Sequence, residues 1–204
     1  MMTKDQVLSP LAAARTTEVV VTTMGMVRPW AAHSTHPLDF ASADSAMGHA
    51  ADLAVGIALA RPERKVVCLN GDGSMLMTLG TLVTAVANGA SNLILFVIQN
   101  DTYEITGNQP VPGARRVDFA GMARAAGFAA AHTFSDAALY AAALPAILQA
   151  SGPSLVCLQV EPGRETPLGR QGKETAAYLQ QSAPDEARRF RKAVSGNVTP
   201  HEDS

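Results

Sequence analysis

Apolar positions in this chain fall into short β-branched runs separated by stretches with helical spacing. Residues 66–69 (VVCL) and 93–98 (LILFVI) are continuous apolar runs, as strands buried on both faces require. Between them the apolar residues stand at 75, 76, 79, 82, 83 and 86, one face of a helix that Asn88-Gly89 closes with a left-handed cap. Similar runs predict strands at 18–22, 128–133 and 155–160. A helix is expected from 44 to about 60, with Ala50, Ala54 and Gly56 allowing close packing. Asp118 and Gly127 bracket a shorter helix, and Ser135-Asp136 opens another that Pro145 should kink or break. A basic helix starting at Pro184-Asp185-Glu186 closes the pattern. Residues 28–39 (RPWAAHSTHPLD) read as a surface loop, too proline-rich and polar for regular structure throughout. Alternation of strands and helices predicts an α/β fold, a doubly wound parallel sheet with helices on both faces. It divides the chain into a leader over 1–17 with a short helix at 11–15, a domain over 18–165, and a tail over 166–204.

The central βαβ unit places its polar residues. A right-handed crossover makes its two strands parallel, so both C-terminal ends share one sheet edge. Asp72 follows the first strand and Asn100 closes the second, so they can meet where doubly wound sheets bind ligands. A carboxylate and an amide oxygen are hard ligands that suit Mg²⁺. Gly73 and Ser74 sit where a new helix presents unpaired N–H groups to anions, and metal plus diphosphate fits both features. The competing reading of Asp72-Gly73 as a hairpin turn fails, because a helical pattern follows instead of a partner strand.

Composition narrows the function. Of 204 residues, 47% are hydrophobic and 17% charged, and the net charge is −2, so nothing points to nucleic acid. Residues 1–8 lack the apolar core of a signal peptide and no apolar run reaches spanning length, so no membrane is expected. Cys68 and Cys157 lie inside apolar runs, as buried reduced thiols of a cytoplasmic protein. His33 and His36 have no third ligand at metal-binding spacing and go with the loop.

The GDGS segment, the helix after it and the QN pair at 99–100 resemble the cofactor motif of thiamine diphosphate (ThDP) enzymes. The continuation NDTYEITGNQP (100–110) is similar to the NGxxxSTGxQ segment of sulfopyruvate and phosphonopyruvate decarboxylases, and the size resembles a sulfopyruvate decarboxylase β subunit. Two departures stand out: Gln99 where that family usually has Asn or Asp, and Ile105 where it usually has Ser. The resemblance implies ThDP and Mg²⁺ as cofactors, with Asp72, Asn100 and the Thr102 carbonyl as metal ligands. It implies cofactor contacts from Gly25, Met26, Gly71, Gly73, Ser74, Tyr103 and Ile105. Ser45-Ala46-Met47-Gly48 resembles the family's GSMG segment, which places Ser45 against the aminopyrimidine and Met47 beneath the bent cofactor. The activating glutamate belongs to a pyrimidine-binding domain not visible in this sequence. The expected function is therefore one subunit of a 2-oxo-acid decarboxylase acting on a small anionic 2-oxo acid, inactive alone. An α-type partner and a homo-oligomer are expected with it. The alternatives are a phosphonopyruvate decarboxylase or acetolactate synthase-like subunit, or a diphosphate-binding protein without turnover.

Overall fold

A computed structural model describes residues 1–41, 47–166 and 174–196. Helix α1 (Lys4–Ala14) leads into β1 (Val19–Thr22), α2 (Val27–Ala31), β2 (Asp39–Ala41) and α3 (Ala50–Ala60). The central unit is β3 (Val66–Gly71), α4 (Asp72–Met77), α5 (Gly80–Ala87) and β4 (Leu93–Gln99). A small hairpin, β5 (Thr102–Tyr103) with β6 (Gln109–Pro110), follows. Then come α6 (Phe119–Ala126), β7 (Ala130–Phe134), α7 (Ala137–Gln149), β8 (Ser154–Gln159) and α8 (Ala183–Ser195). Six strands form one parallel sheet in the order β2-β1-β3-β4-β8-β7.

Strand periodicity divides the core between two faces. Val66 and Cys68, with Leu93, Leu95 and Val97, point to the side covered by α3, α5, α6 and Phe190 of α8. Val67 and Leu69, with Ile94, Phe96 and Ile98, point to the side covered by α1, Trp30 and α7. Both sides of each central strand are thus apolar, which is why these segments read as unbroken runs.

Several expectations are corrected. The first helix runs over Lys4–Ala14, and Val7, Leu8 and Leu11 bury against the second face, so it packs into the core. The 28–39 stretch contains all of α2 but its first residue, together with the first residue of β2, and Trp30 is fully buried in it. Helix α3 starts at Ala50; Ala50 and Ala54 are buried, but Gly56 faces open space. The helix after β3 is two helices, divided at 78–79. Helix α7 continues through Pro145 to Gln149. Proline removes a backbone bond there, but Tyr140 and Leu144 before it and Ile147 and Leu148 after it are buried. At about 1.5–3 kcal/mol for each large apolar side chain, that burial exceeds the cost of the lost bond.

The caps at Asp118, Asp136 and Gly127 form as expected. The basic last helix packs against the sheet edge through its charged side chains. Glu186 of α8 accepts the Ala41 N–H, while Arg189 donates to the Pro37 and Asp39 carbonyls and lies over the Tyr178 ring. These side chains supply an edge strand with the bonds of a missing neighbour. Among the described residues no helix is long and apolar enough to cross a membrane.

Candidate functional site

The chain leaves β1 toward β2 on one side and leaves β3 toward β4 on the other. Loops departing in opposite directions open a crevice at the carboxyl ends of β1 and β3. A cavity lies there, walled by Thr23, Gly25 and Met26 after β1, and by Gly71, Asp72, Gly73 and Ser74 after β3. Asn100, Thr102, Tyr103, Glu104 and Ile105 close it from the segment after β4, and Lys4 reaches in from α1.

Asp72 is the electrostatic centre of this wall. It is 2% exposed, its Oδ1 accepts the Gly73 N–H at 2.8 Å and its Oδ2 accepts the Asp101 N–H at 2.6 Å. Asp101 can turn back to donate because it adopts φ 63°, a left-handed conformation that aspartate tolerates better than most residues. Burial pushes the Asp72 carboxyl up to about 6, against the downward pull of those two N–H groups. Among the described residues no lysine, arginine or histidine forms an ion pair with it. Asn100 offers the second hard ligand: its Oδ1 accepts the Thr102 N–H at 3.1 Å and its Nδ2 donates to Glu104 at 2.9 Å. A buried carboxylate lacking a cation, beside an amide oxygen with a lone pair to spare, fits a divalent metal.

The glycines and hydroxyls shape the walls. A side chain at Gly73 would strike the Tyr103 ring, with Cδ1 at 2.8 Å, Cε1 nearer still, and Val111 Cγ1 at 3.0 Å. The ring thus closes directly onto the backbone of α4. Ser74 Oγ accepts the Gly48 N–H at 3.0 Å and lies 3.4 Å from Thr23 Oγ1, while Thr78 donates to the Gly48 carbonyl. These bonds tie the turn containing Met47 to the crevice.

Of the sequence-predicted residues, Gly25, Met26, Gly71, Asp72, Gly73, Ser74, Asn100, Thr102, Tyr103 and Ile105 share this one cavity. Met26 also belongs to the second core. The Gly73 N–H is directed at Asp72, so the expected pair of open helix-terminal donors is reduced by one. Met47 is half-buried, belongs to neither main core and does not line the cavity. Ser45 lies outside the described residues. Arg28 pairs with Glu174 at 2.6 Å, His33 with Asp5 at 3.2 Å, and His36 Nδ1 accepts the Leu38 N–H, so none of the three lines the crevice. Gln99 accepts from the Cys157 thiol at 3.1 Å and donates to Asp101, supporting the residue that bonds Asp72. Burial pushes the thiols of Cys68 and Cys157 up, the latter to about 12, and both are free.

Sequence reasoning did not assign Lys4 or Thr23 to the site, and it gave Glu104 no role there. Lys4 lies 100 positions from Glu104 in the chain, and no local pattern announces such a contact.

The model of the thiamine pyrophosphate enzyme C-terminal TPP-binding domain matches residues 23–158. Phosphonopyruvate decarboxylase of Streptomyces viridochromogenes is 39% identical over 159 residues, covering 76% of this chain and 38% of the relative. Sulfopyruvate decarboxylase subunit beta of Methanothermobacter thermautotrophicus is 39% identical over 117 residues, 57% of this chain and 60% of the relative. The chain thus spans less than two thirds of the length of either. Among solved structures, a protein of Mycobacterium smegmatis described as a thiamin diphosphate-dependent enzyme superposes with TM-score 0.68 at 26% identity. That superposition covers 79% of this chain and 32% of the other. Benzoylformate decarboxylase of Polynucleobacter necessarius shares the fold, with TM-score 0.66 at 23% identity over 78% of this chain and 33% of the other. With its crevice at the switch point and the family match running from Thr23 to Leu158, the chain belongs to the thiamine pyrophosphate enzymes, as their C-terminal cofactor-binding domain.

Proposed function

We propose that this chain is the Mg²⁺- and ThDP-binding subunit of a 2-oxo-acid decarboxylase of the sulfopyruvate decarboxylase kind. A pyrimidine-binding α-type partner completes it. One observation carries the reading: Asp72, a buried carboxylate that pairs with no cationic side chain among the described residues, lines the same crevice as Asn100. Family enzymes use Mg²⁺ with the cofactor. Here Asp72, the Asn100 side-chain oxygen and the Thr102 main-chain oxygen would hold the metal. Gly25, Met26, Gly71, Gly73, Ser74, Tyr103 and Ile105 would flank the diphosphate, and Ser45 and Met47 would meet the pyrimidine end.

Bound ThDP supplies an electron sink for loss of CO₂ from a 2-oxo acid. This chain's contribution is to bind and orient. Asp72 brings the negative charge that a metal neutralises, the Tyr103 ring packs onto Gly73, and Met26, Ile98 and Ile105 give the crevice apolar walls that exclude water. Glu104 is the other carboxylate on the wall, and its engagement with Lys4 and Asn100 leaves it unsuited to activating a pyrimidine ring. That task falls to a partner glutamate, in keeping with the β-subunit naming of the Methanothermobacter relative. Met77 and Val83, 50% and 59% exposed, offer apolar surface for a homodimer or for the partner.

Calorimetry tests the reading. Wild-type protein should bind ThDP only with Mg²⁺ present, and Asp72→Ala should abolish that Mg²⁺-dependent binding; unchanged affinity would sink the assignment. Similarity to the Streptomyces enzyme over 76% of this chain favours phosphonopyruvate as a second substrate reading. CO₂ release by the partner-completed complex from sulfopyruvate, phosphonopyruvate and an uncharged-tail 2-oxo acid separates the two. No release from any of them would leave a binding protein without turnover.

A further inference from the structure

Glu104 is a buried carboxylate that the metal ligand set does not use. Its Oε2 lies 2.8 Å from Lys4 Nζ and accepts from Asn100 Nδ2 at 2.9 Å, and the side chains of Glu104 and Lys4 are only 5% and 13% exposed. Its Oε1 accepts from Lys4 at 3.0 Å and from the Glu165 N–H at 2.9 Å. Gly163 packs so closely that an added Cβ would collide with the carboxylate, its Cδ lying at 3.1 Å. Lys4 also donates to the Gly25 carbonyl at 3.3 Å, on the opposite wall of the crevice.

An asparagine amide is nearly symmetric in shape, and its two ends do opposite chemistry: the oxygen can ligate a cation, while the NH₂ repels one. The end facing the site is set by the partners. An ionised carboxylate only accepts, so Glu104 takes the NH₂ end; the Thr102 N–H only donates, so it takes the oxygen end. Both partners enforce the same orientation and leave the oxygen a second lone pair. The Lys4 ammonium balances the buried charge of Glu104 and holds it in place. Because its protons go to Glu104 and the Gly25 carbonyl, Lys4 works as a strut and not as an anion ligand.

We propose that Lys4 and Glu104 are positioning residues that lock the Asn100 amide with its oxygen turned to the cation. Helix α1, which precedes the family-matched span 23–158, thereby becomes part of the cofactor site. The proposal rests on the Mg²⁺–ThDP reading of the crevice.

The test uses the full chain, Mg²⁺-dependent ThDP calorimetry and the ¹H–¹⁵N spectrum of the metal-free protein. Lys4→Met and Glu104→Met should each weaken Mg²⁺-dependent binding about 10–100-fold, the range typical of groups that orient metal ligands. Lys4→Arg should stay within about threefold of wild type, because arginine keeps the charge-assisted bond. The exchange Lys4→Glu/Glu104→Lys separates positioning from simple ion pairing. The new ammonium donates, so it draws the Asn100 oxygen away; the midpoint of unfolding should recover while binding stays weak. Recovery of both, or wild-type affinity in both Met variants, would overturn the proposal. In the spectrum, the Asn100 NH₂ pair should be downfield and slow to exchange in wild type and Lys4→Arg, and should lose both features in Lys4→Met. An Asn100 pair unchanged by Lys4→Met overturns the proposal even where an exchange variant fails to fold. Absence of ThDP binding by wild type would count against the cofactor reading alone, since the amide signature is read without ligand.

Discussion

Gly73→Ala is the sharpest probe of the crevice, because the backbone there does not call for glycine. The position lacks a left-handed φ; the Tyr103 ring and Val111 are what lie nearest an added methyl group. Carbon–carbon contacts settle at about 3.5–4.0 Å, so with Tyr103 Cδ1 at 2.8 Å the ring must retreat by about 1 Å. It cannot swing freely. Tyr103 pairs with Gln109 across the hairpin, and its carbonyl accepts from Asn108 N–H at 3.0 Å and from Thr106 at 3.3 Å. Overpacking of this kind destabilises by about 1–3 kcal/mol, and at this chain length each kcal/mol lowers Tm by about 2–4 °C. Displacing Tyr103 also displaces Thr102, so Mg²⁺-dependent ThDP binding should weaken in parallel. Thermal unfolding and calorimetry on the same preparations read both effects. Tyr103→Ala removes the obstacle, so in that background the alanine at 73 should lose most of its stability penalty. An undiminished penalty, or a Gly73→Ala protein with wild-type Tm and affinity, refutes the steric argument.

Gly56→Ala is the matching control: the site is inside α3 with no atom near the added methyl, so denaturant unfolding should show a gain of about 0.5–1 kcal/mol. Trp30→Ala should cost about 3–5 kcal/mol, since the ring is fully buried in the second core; a smaller loss in denaturant titration would show that α2 is peripheral. For pH, Asp72 is raised to about 6, so between about 4 and 6 the folded chain holds a proton that the unfolded chain has released. Its buried charge therefore lowers metal-free stability as pH rises through that window. Asp72→Asn should gain Tm relative to wild type at pH 7 and lose that advantage by pH 4; a pH-independent difference would contradict the sign. Mg²⁺ must displace this proton below about pH 6, so wild-type Mg²⁺ affinity should fall toward tenfold per unit there.

What the sequence determined by itself was the part of the protein built from local signals. Runs buried on both faces mark β1, β3, β4 and β8 because each alternate residue meets a different core. Asp118, Asp136 and Gly127 mark helix ends because caps act within a few residues. Parallel pairing of β3 with β4 follows from the helical stretch between them, and it brings Asp72 and Asn100 to one edge. Only the tertiary structure decided the rest. Strand β2 has three residues and exists through Val20, Phe40 and the side chains of α8, so its own composition reads as loop. Pro145 stays helical because burial around it outweighs one missing hydrogen bond. The Lys4–Glu104–Asn100 chain joins residues about a hundred positions apart, and its orientation of a single amide depends on geometry that no spacing encodes. Local propensity places the metal-type ligands at one sheet edge, and the packing of a distant helix sets which way one of them faces.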